Sequence, residues 1–271
     1  MPYVETPDEV PLHYLDEGPR SDSGIFLIHA EPFSCRFWQR NIPELSHRFR
    51  VVAMDVRGRG ESGKTDAGHC IGQYARDLRH MLETLGFTST VVVGWSLGGS
   101  IVWNYIHQFG GDRLAGYVNL DQPPYRFVSE EHLQQRLASI RTRRLQHHTN
   151  TVRGYFGPDV EVPEATLRWM VYECMKTPTS AHATVVEESF RADYSPFMNE
   201  VRVPTRTFWS RHGSIQPDVA EAMRRAMRDS ELVFFERSGH LIPWIESEKF
   251  NRELAGFASA VLGGTLRGAS R

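Results

Sequence analysis

One stretch in the middle of the chain most constrains its fold. Residues 91–93 are three valines, Gly94 and Gly98 flank Ser96, and a helix-compatible segment covers residues 100–108. The β-branched run predicts a buried strand, and small residues around a serine predict a turn too tight for a Cβ atom. Such a strand–turn–helix, a nucleophile elbow, holds a serine hydroxyl at the end of a sheet, beside the positive end of a helix dipole.

The rest of the chain alternates between short apolar runs and helical patterns. Runs such as residues 25–28 and 51–55 are typical of strands that are buried on both faces. Strands are predicted at residues 10–15, 25–28, 51–55, 90–94, 114–120, 205–209 and 231–235, and helices at 71–85, 100–109, 130–146, 164–175, 180–191, 217–227 and 246–262. This order predicts an α/β fold with a mostly parallel central sheet and helices on both faces.

The alternation stops between residues 123 and 199. Charged helical stretches dominate there, and no obvious core strand interrupts them. We therefore expect a helical lid, or cap, over the carboxyl edge of the sheet. In this division, residues 1–122 form the first part of the core domain, residues 123–199 the lid, and residues 200–271 the second part of the core domain.

Composition narrows the classes of partner. The formal net charge is −2, which does not favour nucleic acid or an anionic membrane. No apolar run approaches 18 residues, and the first residues lack the basic and apolar regions of a signal peptide. Three widely spaced cysteines form neither a disulfide framework nor a metal motif. We expect a cytoplasmic protein that acts on a small molecule, binds neither nucleic acid nor membrane, and is compatible with a homodimer.

Four landmarks follow one another in the order found in a known superfamily. They are the turn at His29-Ala30, the segment 55–62 (Asp-x-Arg-Gly-x-Gly-x-Ser), the elbow at Ser96, and the Ser-Gly-His turn at 238–240. On these residues the chain resembles the α/β-hydrolase superfamily over about residues 10–262. The segment 29–38 is similar to the corresponding His-Gly-x-Pro-x-Ser…Trp segment of the non-haem chloroperoxidase and small-esterase branch. The resemblance implies the α/β-hydrolase fold, which hosts many different reactions.

The resemblance also implies a catalytic triad, with one member out of place. Ser96 corresponds to the nucleophile and His240 to the base. The position that corresponds to the usual acid is Gly213, so another carboxylate must orient the histidine. We predict Asp121 in this role, because it ends the strand that follows the elbow helix, as the acid does in some lactonases and cofactor-free dioxygenases. Asp218 is the alternative acid, and Asp121 would then only cap a turn.

Two backbone amides are expected to form the oxyanion hole. One belongs to Leu97, directly after the nucleophile, and by resemblance the other belongs to Glu31. This turn departs from the family pattern, because Ala30 replaces a glycine and residue 31 is acidic. The Glu31 carboxylate either points away or binds Arg36 or Arg57, or it contacts a polar or cationic part of the substrate.

Aromatic residues near the predicted lid and pocket mouth indicate an apolar or aromatic substrate. The predicted substrate contacts are Trp95, Phe33, Tyr125, Tyr155, Trp169 and Trp244. Arginines at positions 141, 143 and 144 favour a solvated helix face over a rim that attracts anions.

These residues predict a serine hydrolase that cleaves a carboxylic ester or lactone of a small apolar or aromatic substrate through an acyl-enzyme on Ser96. No metal or organic cofactor is expected. One alternative keeps the site but uses the His240–Asp121 dyad to deprotonate a hydroxylated N-heteroaromatic compound in a cofactor-independent dioxygenase. Another is a tailoring or non-hydrolytic member of the fold in natural-product metabolism, which the altered His29-Ala30-Glu31 turn suggests.

Overall fold

The computed structural model describes residues 2–268 and contains one eight-stranded sheet. Its strands lie in the order β1-β2-β4-β3-β5-β6-β7-β8. Strands β1 and β2 run antiparallel to their neighbours, and the pairings from β4 to β8 are parallel. The strands are β1 (Tyr3–Glu5), β2 (Pro11–Glu17), β3 (Ser23–Ile28), β4 (Arg50–Met54), β5 (Ser89–Trp95), β6 (Leu114–Leu120), β7 (Thr205–Ser210) and β8 (Ser230–Phe235). The predicted mostly parallel sheet is confirmed.

Eleven α-helices are described within residues 2–268, together with a short 3-10 helix at Cys35–Trp38. They are α1 (Ile42–Leu45), α2 (Ile71–Thr84), α3 (Leu97–Phe109), α4 (Glu130–Thr142), α5 (Arg144–Tyr155), α6 (Glu164–Met175), α7 (Thr179–Arg191), α8 (Ser195–Met198), α9 (Pro217–Ala226), α10 (Ile242–Ile245) and α11 (Ser247–Gly268). None of the helices in this described part of the chain has the length and apolar character needed to cross a membrane.

The strand before the elbow separates two hydrophobic cores. Val92 packs into one core with residues of α2, α3 and α9, whereas Val91 and Val93 pack into the other with residues of α1 and α11. This division follows from the pleat, because successive side chains of a strand point to opposite faces of the sheet. A continuous valine run therefore suits a strand with helices on both sides, as predicted.

Helices α4–α8 lie between β6 and β7 in the chain, and we refer to them as the helical insertion. The prediction of one helix over residues 130–146 was wrong, since Arg143 interrupts it with φ −134° and ψ 42°. Helices α4 and α7 share a small core of their own, whereas α5 and α6 contribute to the core that contains Val91.

The topology brings distant residues to one edge. Ser96 directly follows β5, Asp121 directly follows β6, and His240 lies in the loop after β8. Because these strands are parallel, their carboxyl ends meet at the same edge of the sheet, where ligand sites of α/β proteins form.

Candidate active site

Ser96 occupies a strained turn between β5 and α3. Its backbone has φ 52° and ψ −114°, a left-handed value of φ that costs a non-glycine residue about 1–3 kcal/mol. A Cβ atom on Gly94 would lie 2.5 Å from the carbonyl oxygen of Gly98, so the turn requires glycine there. The turn is fastened to the neighbouring strand, because the Ser96 amide donates to the carbonyl of Leu120 over 2.9 Å. The serine remains 8% exposed at the end of the sheet.

His240 and Asp121 form a buried pair beside this turn. The Nδ1 atom of His240 donates to Asp121 Oδ2 over 2.6 Å. The same carboxylate accepts hydrogen bonds from the amides of Ser214, over 2.8 Å, and Ile215, over 3.3 Å. The Ser214 hydroxyl also lies 3.2 Å from His240 Nδ1. A carboxylate held at Nδ1 selects the tautomer whose Nε2 can accept a proton.

Gly213 provides the space that the Asp121 carboxylate occupies. A Cβ atom at position 213 would lie 2.5 Å from Asp121 Oδ1 and 2.6 Å from Oδ2. The glycine at the usual acid position therefore accompanies an acid that reaches the same volume from the end of β6. Asp121 itself has φ 51°, so this strand end is also strained.

The loop that presents His240 is fixed on several sides. Trp95 Nε1 donates to the His240 carbonyl over 3.0 Å, and the Leu241 amide donates to the Tyr155 carbonyl over 3.1 Å. The Glu246 carboxylate accepts from both the amide and the hydroxyl of Ser238, over 2.9 and 2.6 Å. These bonds join the loop to β5, to the helical insertion and to Glu246 at the end of α10.

Three polar groups at the elbow have no partner within residues 2–268. The Ser96 hydroxyl and the amides of Leu97 and Glu31 form no hydrogen bond with the described part of the chain. The amide of Leu97 lies in the first turn of α3, where helix amides lack intrahelical acceptors. Both predicted oxyanion-hole amides are thus available to an incoming oxygen. The unbonded Ser96 hydroxyl is compatible with a catalytic serine, because hydrogen bonds between a nucleophile and its base often tighten only when substrate binds.

Glu31 is held by Arg59, which the sequence analysis did not name as its partner. The Nε atom of Arg59 donates to Glu31 Oε2 over 2.8 Å, and the Arg59 side chain is fully buried. Arg36 instead pairs with Glu173, and Arg57 pairs with Asp77 and with Asp8. Burial raises the pKa of the Glu31 carboxyl, and the charge of Arg59 opposes this shift.

A small pocket of about 140 Å³ opens at Ser96. Its sheet-edge wall consists of Glu31, Ser96, Leu97 and Ser214. Its other wall, which we call the insertion wall, includes Arg136, Tyr155, His182 and Phe190 from the helical insertion, and Arg126 from the loop that precedes α4. Tyr155 also packs on the His240–Asp121 pair, with its ring centroid 4.6 Å from that of His240. A larger cavity of about 600 Å³, lined by Trp244 among others, includes none of the predicted catalytic residues.

Of the six aromatic residues predicted to contact substrate, the structure brings Tyr155 to this pocket. The lining does not include Trp95, Phe33, Tyr125, Trp169 or Trp244. Trp95 precedes Ser96 on β5, but its ring is fully buried among other aromatic rings and donates to the His240 carbonyl. Ser96 lies in the turn after β5, where the backbone leaves the strand conformation, so adjacency to Ser96 does not place the Trp95 ring in the pocket.

Several pocket residues were not predicted from the sequence. Ser214 lies one position after the vacant acid site and contacts both members of the dyad. Arg126 follows the turn after Asp121, and its proximity to the predicted acid could have indicated it. Arg136 and His182 lie on helical faces whose direction becomes clear only when α4 and α7 are packed together. The walls therefore contain more charge than an apolar or aromatic substrate would require.

One cluster within residues 2–268 has the composition of a metal site. His13, Cys35 and Asp55 bring ligand-type atoms within 4.8 Å of one another. The Asp55 carboxylate already accepts from His13 Nδ1 over 2.8 Å, from the Cys35 amide over 2.6 Å and from the Glu61 amide over 2.8 Å. Burial also raises the pKa of the Cys35 thiol, which opposes formation of the thiolate that binds metals. These bonds suit a structural link between loops better than a metal site.

The chain is similar to known proteins along its length. A model of the alpha/beta hydrolase fold matches residues 25–146. A bifunctional esterase/perhydrolase of Acinetobacter calcoaceticus is 28% identical, over 95% of this chain and 99% of its own. A non-heme chloroperoxidase of Burkholderia pyrrocinia is 25% identical, over 96% and 100%. The solved structure of an esterase from Exiguobacterium antarcticum has a TM-score of 0.88 at 18% identity, over 95% and 98% of the two chains.

Proposed function

This chain is an enzyme of the α/β-hydrolase superfamily, in the branch of small esterases and non-heme chloroperoxidases, and we propose that it is a serine hydrolase that cleaves a small carboxylic ester or lactone. The proposal depends chiefly on one observation: the strained Ser96 elbow lies at the same edge of the sheet as the buried His240–Asp121 pair. Ser214 and Tyr155 line the pocket at Ser96 and also contact His240. The esterase/perhydrolase relative supports the reaction class.

In the first half of the reaction, Ser96 Oγ attacks the carbonyl carbon while His240 Nε2 takes the hydroxyl proton. Asp121 holds the imidazole at Nδ1 and stabilises the imidazolium that forms. The amides of Leu97 and Glu31 donate to the developing oxyanion. The tetrahedral intermediate then expels the alkoxide, which receives the proton from His240, and the acyl group remains as an ester of Ser96.

In the second half, water attacks the acyl-enzyme and His240 again accepts the proton. Collapse of the second tetrahedral intermediate returns the proton to Ser96 Oγ and releases the carboxylic acid. An ester thus gives an acid and an alcohol, whereas a lactone gives a single hydroxy acid.

Fluorophosphonate labelling with intact-mass analysis tests this proposal. We expect wild type to gain one label at Ser96, the Ser96→Ala variant to gain none, and Asp121→Asn to react far more slowly. Asp218→Asn is the matched control, since this exposed carboxylate begins α9, and it should react like wild type. A folded wild-type protein that takes no label would contradict an activated serine.

A second candidate is the cofactor-independent dioxygenase, favoured by the absence of a hydrogen bond from the Ser96 hydroxyl to His240 within residues 2–268. In that reaction the dyad would deprotonate a substrate hydroxyl and Ser96 would only position it. Oxygen uptake with hydroxylated N-heteroaromatic compounds separates the two candidates. Uptake without labelling would favour the dioxygenase, whereas labelling and ester cleavage without uptake would favour the hydrolase.

A further inference from the structure

Two arginines in the insertion wall have no acidic partner. Arg126 donates to the Gln122 side-chain oxygen over 3.3 Å, while its Nε atom is buried without a partner. The Nε atom of Arg136 is likewise buried and unpartnered. Within residues 2–268 neither guanidinium forms an ion pair with a carboxylate. Both side chains are half-buried. An unpaired cation that is partly removed from water is costly, so such groups normally have a compensating partner.

The carboxylates nearest the pocket are already engaged elsewhere. Glu31 pairs with Arg59 through Oε2, whereas its Oε1 atom is buried without a partner within residues 2–268. Asp121 accepts from His240 and from two backbone amides. His182, also in the insertion wall, has no negative charge that could balance the arginines. Burial lowers its pKa well below the usual value, and nearby positive charges, including Arg59 and Arg136, lower it further. Arg126 and Arg136 therefore carry positive charge that no ion pair with a described carboxylate neutralises.

The two guanidinium groups are also positioned together. Arg126 lies 5.2 Å and Arg136 5.3 Å from the centroid of the same ring, that of Phe190. Cation–π contact restricts both side chains and leaves their N–H groups free to donate. Phe190 and both arginines line the pocket that contains Ser96, so the paired cations and the nucleophile share one small volume.

We propose that this pocket selects an ester or lactone that bears its own carboxylate, which Arg126 and Arg136 bind while Ser96 attacks the ester carbonyl. The inference depends on the proposed hydrolase function and specifies its substrate class. Guanidinium groups suit a carboxylate because their planar N–H groups match its two oxygens. The volume of about 140 Å³ limits the bound part to a short chain. The charge-compensating partner of the arginines is thus the substrate itself.

The test compares two esters of the same shape. One is the para-nitrophenyl monoester of glutaric acid, and the other replaces its carboxylate by an isopropyl group. The measured quantity is the ratio of kcat/KM for the anionic ester to that for the neutral ester. We expect the ratio to exceed one in wild type and to fall about tenfold to a hundredfold in Arg126→Gln and in Arg136→Gln. Arg136→Lys, which keeps the charge, should retain part of the preference.

Arg141→Gln is the matched control, because Arg141 is exposed on the same helix as Arg136 and should leave both the ratio and the activity unchanged. A wild type that hydrolyses the neutral ester as well as the anionic one would overturn the carboxylate proposal and leave the hydrolase proposal intact. An equal ratio in wild type and in folded Arg136→Gln would also overturn it.

A binding measurement separates failure of this inference from failure of the hydrolase proposal. Calorimetry on Ser96→Ala compares monomethyl glutarate with neutral dimethyl glutarate, and requires no turnover. Tighter binding of the monomethyl ester, lost on adding Arg136→Gln, supports the anion site even if wild type proves unreactive toward fluorophosphonate. Equal affinity for the two ligands, or absence of monomethyl glutarate binding, overturns it.

Discussion

The His240–Asp121 pair behind the pocket at Ser96 and the insertion wall of that pocket satisfy their polar groups in different ways. Behind the sheet-edge wall, Asp121 and His240 are bonded to each other and to neighbouring loops. In the insertion wall, buried nitrogens of Arg126, Arg136 and His182 have no partner within residues 2–268. A fully bonded group is held in one geometry before substrate arrives, as catalysis requires. An unpaired group has donors or acceptors free for a ligand, as recognition requires.

The largest expected effect concerns the bonded His240–Asp121 pair. We expect Asp121→Asn to lower kcat about ten-thousandfold with little change in KM, because an amide at Nδ1 no longer stabilises the imidazolium or its tautomer. Steady-state hydrolysis of a para-nitrophenyl ester measures the change. Asp218→Asn should stay within about twofold of wild type. A comparable loss in Asp218→Asn would identify that residue as the acid.

Next in size is the buried ion pair at the junction of the walls. Replacing Glu31 by Gln leaves Arg59 buried against a neutral amide, and we expect the free energy of unfolding to fall by about 2 kcal/mol. The matched control is Glu61→Gln, which alters the more exposed pair with Lys176 and should cost less than about 1 kcal/mol. Urea unfolding at neutral pH measures both. Equal losses of unfolding free energy in the two variants would show that burial does not strengthen the pair between Glu31 and Arg59.

The third prediction concerns acid sensitivity in the helical insertion. Burial lowers the pKa of His148 to about 3, and the charges of neighbouring His147, Arg144 and Arg136 lower it further. The folded state therefore binds fewer protons than the unfolded state, so stability is complete above about pH 6.5 and is lost as pH falls toward 3. We expect His148 to account for a loss of about 2 kcal/mol between pH 7 and pH 5.

His148→Phe should flatten the dependence of unfolding free energy on pH, because a phenyl ring can keep the stacking on His182 without titrating. Urea unfolding at several pH values measures the slope. His132→Phe, at an exposed position of α4, is the control and should retain the wild-type slope. An unchanged slope in His148→Phe would place the acid sensitivity elsewhere in the molecule.

The smallest expected effect tests whether a carboxylate at position 213 can replace that of Asp121. Asp121→Gly should be nearly inactive, and adding Gly213→Asp should recover about tenfold in kcat, because the second carboxylate enters the volume that the first has left. Gly213→Asp alone should be less active than wild type, since its Cβ would lie 2.5 Å from Asp121 Oδ1. Absence of recovery would mean that the loop at residue 213 does not aim a side chain at His240.

Much of the fold could be predicted because its signals are local. The valine run of β5 and the glycines of the elbow specify backbone conformation over a few residues. The fold class follows from repetition of such signals along the chain. Helix 130–146 shows the limit, since nothing in the local pattern indicated the break at Arg143. The partner of Glu31 shows the same limit. The sequence offered Arg36 and Arg57 as partners, whereas the residue that binds Glu31 is the buried Arg59.

The sequence by itself determined the class of sheet, the position of the elbow, and the vacancy of the usual acid position at Gly213. Only the tertiary structure decided that Asp121 meets a histidine 119 residues away, that Trp95 does not line the pocket, and that two arginines without an ion pair line the same pocket as Ser96. The reason is physical: backbone conformation depends mainly on neighbouring residues, whereas the direction and partners of a side chain depend on how separate elements pack.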